Sequence, residues 1–153
     1  MTELLHFEIE IDESTQKVWD TMLTLETYKI WTSAFDPSSY YEGNWEKWSE
    51  IHFLWSDWNG MLSKIAESTL YKFISIKHFW MLINGVADTT SDNVLSWIPW
   101  YENYTFTDKG AKTLLEVDLE LPSTPEGKEM KEMFEWMWPN ALAKLKELCE
   151  WNA

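Results

Sequence analysis

Arginine is missing from this chain altogether: its basic residues are 12 lysines, set against 26 acids, for a formal net charge of −14. Without a guanidinium fork or a basic patch there is nothing to grip phosphates or read base edges, which excludes a nucleic-acid partner. An anionic membrane surface is disfavoured by the same charge. Cysteine is nearly absent too, and Cys149 alone cannot form an intramolecular disulfide, so a reducing, cytoplasmic setting is expected. No apolar run approaches the roughly 18 residues a membrane span needs. The opening MTELLHFEIEID turns acidic at once and has no basic leader or cleavage site, so no secretory signal is expected. Also lacking are GxGxxG, GxxxxGKS/T, GxSxG and HExxH, and His6, His52 and His78 have no ligand-like spacing. Nucleotide cofactors, metals and serine-hydrolase chemistry therefore have no local support, and neither cofactor nor metal is expected. Glycine and proline stand at five each, with no repeat or linker-like tract, and one domain is read across residues 1–153.

Tryptophan is what the chain has in excess. Twelve Trp, seven Phe and six Tyr make 16% of the residues aromatic, more indole than an ordinary core uses. A chain of this length buries about 68–70% of its unfolded surface, enough for one substantial core. Leu5, Phe7, Ile9 and Ile11 alternate with His6, Glu8 and Glu10, the period of a half-buried strand. Ser14 then heads a helix with Val18, Met22 and Leu25 at helical spacing, and ETYKIWTSAF reads as a second short helix. From about residue 40 the composition is that of strands, at 49–55, 60–69, 71–80, 95–107 and 111–121, joined by turns short enough to imply antiparallel neighbours. Beyond PSTPEG the period becomes helical, with Met130, Phe134, Met137, Ala141, Leu145 and Leu148 on one stripe. Pro139 inside that stripe predicts a kink or break near Trp136 to Trp138. The fold class is therefore α+β: a curved antiparallel sheet wrapped around a long C-terminal helix, with two short helices after the first strand.

Taken in order, HFEIEID with KVWDTML, YYEGNWEKWSEIHFL, GMLSKIAE, YKFISIKHF, SWIPWYENYTFTDKGAKTLLEVDL and MWPNALAKLKELCE resemble the START-like helix-grip superfamily, also called SRPBCC. Within it they are similar to the proteins that resemble the activator of heat-shock-protein-90 ATPase. The resemblance implies a cavity between sheet and terminal helix of the kind that relatives use for lipids, hormones or polyketide intermediates. It assigns no function by itself. In that subgroup a small residue, usually glycine, is expected after the lysine of EGNWEK, in the turn before GML and after KHF, and a small residue before YENY; here stand Trp48, Trp58, Trp80 and Trp100. Trp136 is similarly unusual. Such changes suggest a pocket relined with indoles, as in an engineered tryptophan-enriched variant.

Trp19, Trp31, Trp45, Trp97 and Trp138 match family positions and are assigned to the scaffold. Two readings of the remaining indoles stand side by side: they fill the core, or they form an aromatic box around a flat apolar ligand or, given the acidic field, a protonated or quaternary amine. Glu102 shares strand parity with Ile98 and Phe106; an outward or rim position is favoured, the alternative being a ligand-amine acceptor or general base inside. His78, grouped by parity with Ile74, Ile76 and Trp80, and His52, grouped with Leu54, are more often satisfied structural residues. Met61, Met81, Met133 and Met137 read as gap fillers, and Cys149 as an inert buried thiol. The expected function is noncovalent binding of an apolar, aromatic or cationic-amine small molecule by Trp48, Trp58, Trp80, Trp100, Glu102, Tyr104, Phe134 and Met137. Two alternatives stand beside it: an acid–base enzyme of the cyclase or dehydratase type using Glu102 or His78, and a module stimulating a chaperone ATPase. A chamber of about 300 Å³ or more favours binding.

Overall fold

The computed structural model describes residues 2–151. The side chain of Trp97, assigned above to the scaffold, lies outside the described ones. The alternation at the N-terminus builds β1 (Thr2–Ile11), which pairs antiparallel along its whole length with β8 (Thr113–Pro122). One face of that pair is sealed: Leu115, Val117, Leu119 and Leu121 are fully buried. Helix α1 (Thr15–Leu23) begins where the Ser14 hydroxyl accepts the amide of Lys17 at 3.2 Å, and α2 (Leu25–Trp31) runs into a single 3-10 turn over Thr32–Ala34.

The strands β2 (Tyr40–Gly43), β3 (Glu50–Trp55), β4 (Asn59–Thr69), β5 (Phe73–Ile83), β6 (Val86–Asp88) and β7 (Trp100–Asp108) complete an eight-stranded antiparallel sheet. Its order is β1-β8-β7-β5-β4-β3-β2, with β6 hydrogen-bonded to the far end of β5. Across the concave face lies α4 (Pro125–Cys149), started by Thr124, whose hydroxyl accepts the amide of Gly127 at 3.0 Å. Met130, Phe134, Trp138, Ala141, Leu142, Leu145 and Cys149 form its buried stripe. This is the sheet wrapped around a terminal helix that the patterning demands.

Three local expectations are corrected. Residues 95–99 are not strand: Ser91 caps the helix α3 (Asp92–Trp97) by accepting the amide of Val94, and β7 starts only at Trp100, after Pro99. Apolar residues at mixed spacing had concealed a single helical turn and a half behind a strand-like composition. Of the kink or break expected at Pro139, the break does not occur: α4 is continuous from Pro125 to Cys149, and Pro139 lies on its exposed side, where its ring does not disturb the packed face. The third concerns β5, where the pairing shifts between Ser63↔His78 and Leu62↔Trp80. Phe79 is thereby extra, and beyond this bulge the faces exchange. Met81, opposite Met61, takes the inner face that simple alternation gives to Trp80.

Candidate functional site

Between the concave sheet and α4 lies a cavity of about 350 Å³. Tyr28, Trp31 and Phe35 of α2 and the segment after it form one wall. Phe53 and Trp55 of β3, with Met61 and Met81 of β4 and β5, form the second; Trp100, Glu102 and Tyr104 of β7 form the floor. The roof is α4, through Met130, Met133, Phe134, Met137 and Trp138. Their spacing of three and four residues keeps them on adjoining rows of the helix. The mouth opens where Met133 is exposed and Asp36, Ser39, Trp55, Met61, Met81 and Met137 are only half-buried.

The floor carries the chemistry. Trp100, Glu102 and Tyr104 alternate with outward residues along β7, so all three side chains face the chamber. Glu102 is 13% exposed in its side chain. Its Oε1 lies 3.0 Å from Nε2 of His78, and its Oε2 accepts from the Tyr104 hydroxyl. Nδ1 of His78 lies 2.6 Å from the Ser63 hydroxyl. A carboxylate can only accept, so Nε2 carries a proton toward Glu102, and the Nδ1–Ser63 contact holds the other side of the ring. The imidazole is pinned further by Trp100, whose ring lies 4.1 Å from it at an interplanar angle of 30°. Burial, and next the Glu102 charge, hold the hydroxyls of Tyr104 and Tyr28 well above the ordinary tyrosine range. Although serine, histidine and glutamate stand in a row, the order is reversed for nucleophilic catalysis: Ser63 is fully buried behind the histidine and Glu102 faces the chamber.

Of the residues expected to bind ligand, Trp100, Glu102, Tyr104, Phe134 and Met137 are brought together around this chamber, whereas Trp48, Trp58 and Trp80 are not. Trp48 and Trp58 are 67% and 76% exposed in turns at opposite ends of β3, and Trp80 is displaced by the bulge at Phe79. Glu102 faces inward, against the favoured outward reading. His52 is half-buried on the face of β3 opposite Phe53, away from the chamber, so it takes no part. Two scaffold indoles, Trp31 and Trp138, turn out to be wall as well as core. Residue-type reasoning missed Tyr28, Phe35, Phe53 and Trp55, and treated Met61, Met81 and Met133 only as filler although they line the chamber together with Met130 and Met137. The available signal was Met133 beside the helical stripe, an apolar side chain that a fully packed helix would not leave exposed. Cys149 is buried, and burial pushes its thiol up to about 11, so it stays protonated.

A scan against protein-family models finds no match, and a search of curated proteins finds none either. Solved structures do match. Protein MLL2253 from Mesorhizobium loti superposes with a TM-score of 0.74 at 14% identity, covering 95% of this chain and 96% of that one. CalU16 from Micromonospora echinospora gives 0.69 at 13% identity, over 97% of this chain and 75% of its own. A START superfamily protein from Mycobacterium smegmatis gives 0.66 at 12% identity, over 96% and 97%. The chain has the START-like helix-grip fold. At such identities the likeness is one of backbone. In the lining of the chamber, nine aromatic and five methionine side chains surround one inward carboxylate. Among the described residues no helix is long and apolar enough to cross a membrane.

Proposed function

We propose that the protein binds an apolar or aromatic small molecule, reversibly and without covalent chemistry, in the chamber between sheet and α4. One observation carries this reading: a cavity of about 350 Å³ falls within the range of small-molecule sites, about 300–1,000 Å³, and has their usual make-up of apolar walls with few polar groups. The methionines supply walls that adapt to different ligand shapes, because their unbranched side chains change rotamer cheaply. Because Trp31, Trp55, Trp100 and Trp138 are in the wall, occupation alters their surroundings. Titration with a library of apolar, aromatic and amine compounds is expected to give a saturable shift or quenching of tryptophan emission with 1:1 calorimetric stoichiometry. Silence across the whole library overturns the reading.

Acid–base turnover in the same chamber is a second reading, favoured by the inward Glu102 and its buried His78 partner. Its mark is a pH–rate profile abolished in Glu102→Gln. Turnover that survives both Glu102→Gln and His78→Ala rejects it.

A further inference from the structure

We infer that the ligand is a hydrophobic amine whose cationic nitrogen is held by Glu102 among aromatic faces, with its apolar body between the methionines; this rests on the chamber being a small-molecule site. The charges in the lining decide the sign. Glu102 at the floor and Asp36 at the mouth are both acids, no lysine and no histidine ring belongs to the lining, and the chain has no arginine. A carboxylate or phosphate on a ligand would meet only like charge there, in a setting that screens it poorly. A neutral apolar molecule would strip water from Glu102 and give nothing back.

Glu102 also has capacity left. A carboxylate offers about four acceptor positions, and the protein fills one on each oxygen, through His78 Nε2 at 3.0 Å and the Tyr104 hydroxyl. Of the two donors His78 lies behind the lining, fully buried with its ring locked between Ser63 and Trp100, while Tyr104 lines the chamber beside Glu102. Because Glu102 itself lines the chamber, an ammonium group there can donate to its unfilled positions. Around that point stand Trp100, Tyr104, Tyr28 and Phe134, the last with its ring 5.5 Å from that of Trp100. Aromatic faces carry the negative end of the ring quadrupole and so favour a cation beside the carboxylate.

Phenylpentylamine, phenylpentanol and phenylpentanoate differ only at the head group, and calorimetry on the full chain ranks them. The amine is expected to bind about tenfold or more tighter than the alcohol, with the carboxylate weakest. In Glu102→Gln the amine loses that advantage while the alcohol stays within about threefold of its wild-type affinity. An alcohol that matches or exceeds the amine in the wild type overturns the inference, as does an amine preference that survives Glu102→Gln. Should that variant fail to fold, the wild-type ranking decides alone. If none of the three probes binds while other apolar compounds do, the amine assignment fails and the binding reading stands; if nothing binds, both fail.

Discussion

Trp48 and Trp58 adopt φ of 72° and 60°, the left-handed region that a side chain with a Cβ enters at a cost of about 1 kcal/mol or more. Both rings are largely exposed, and the ammonium of Lys47 lies 4.9 Å from the Trp48 ring. Their backbones thus ask for glycine while their side chains give little in return. Trp48→Gly and Trp58→Gly are each expected to be neutral or to stabilise by up to about 1 kcal/mol, read from the urea midpoint at unchanged m. A loss of more than about 1 kcal/mol would mean that the exposed indole packs in solution. His6 offers a second residue-level test. Its hydrogen bond to Asp118 at 2.5 Å, and then that to Glu8 at 3.0 Å, raise its pKa above the ordinary 6.5. The folded state therefore holds this proton more tightly, so the stabilisation is full below about pH 6.5 and fades as pH rises through the raised value. Proton NMR should find His6 titrating above a free histidine, and Asp118→Asn should bring the midpoint down; an unmoved midpoint refutes the pairing.

At the scale of elements, α4 carries the cost of an internal proline. Pro139 leaves the carbonyl four residues earlier without its helical partner, yet Trp138 and Ala141 beside it remain buried. Packing against β1 and β8 outweighs local propensity here. Pro139→Ala is expected to raise stability by about 1–3 kcal/mol without moving those side chains. A fall in thermal midpoint would show instead that the proline ring itself contributes to the packing of α4. The strands of the flanks were legible residue by residue, since β1 and β8 alternate without interruption from Leu5 to Ile11 and from Leu115 to Leu121. On β5 the same rule fails after His78, because a bulge adds one residue and nothing in KHFWML marks where it falls. Period-two reasoning is local, and the bulge is set by the partner strand. That single shift moved Trp80 out of the candidate site and Met81 into it.

For the whole molecule, the chamber is a reserve of unfilled apolar contact, and a ligand that occupies it must stabilise the fold. At a free concentration about 100 times its Kd, a ligand specific for the native state adds about 2.7 kcal/mol. Thermal unfolding should accordingly shift upward with ligand concentration along the curve set by the calorimetric Kd. A spectral change with no such shift would place the ligand on the exposed indoles instead. Fold class, the flanking strands β1 and β8 and the inward stripe of α4 followed from composition and period alone, because burial of apolar faces is a property of the chain. Which indoles meet a ligand did not follow. Trp48 and Trp100 are the same residue type in similar stretches of sequence, but one hangs in a turn and the other stacks on His78. Their different fates depend on strand register, on one bulge and on the distance at which a helix settles over a sheet. These are long-range packing outcomes, and the inward turn of Glu102 toward His78 and Tyr104 is another.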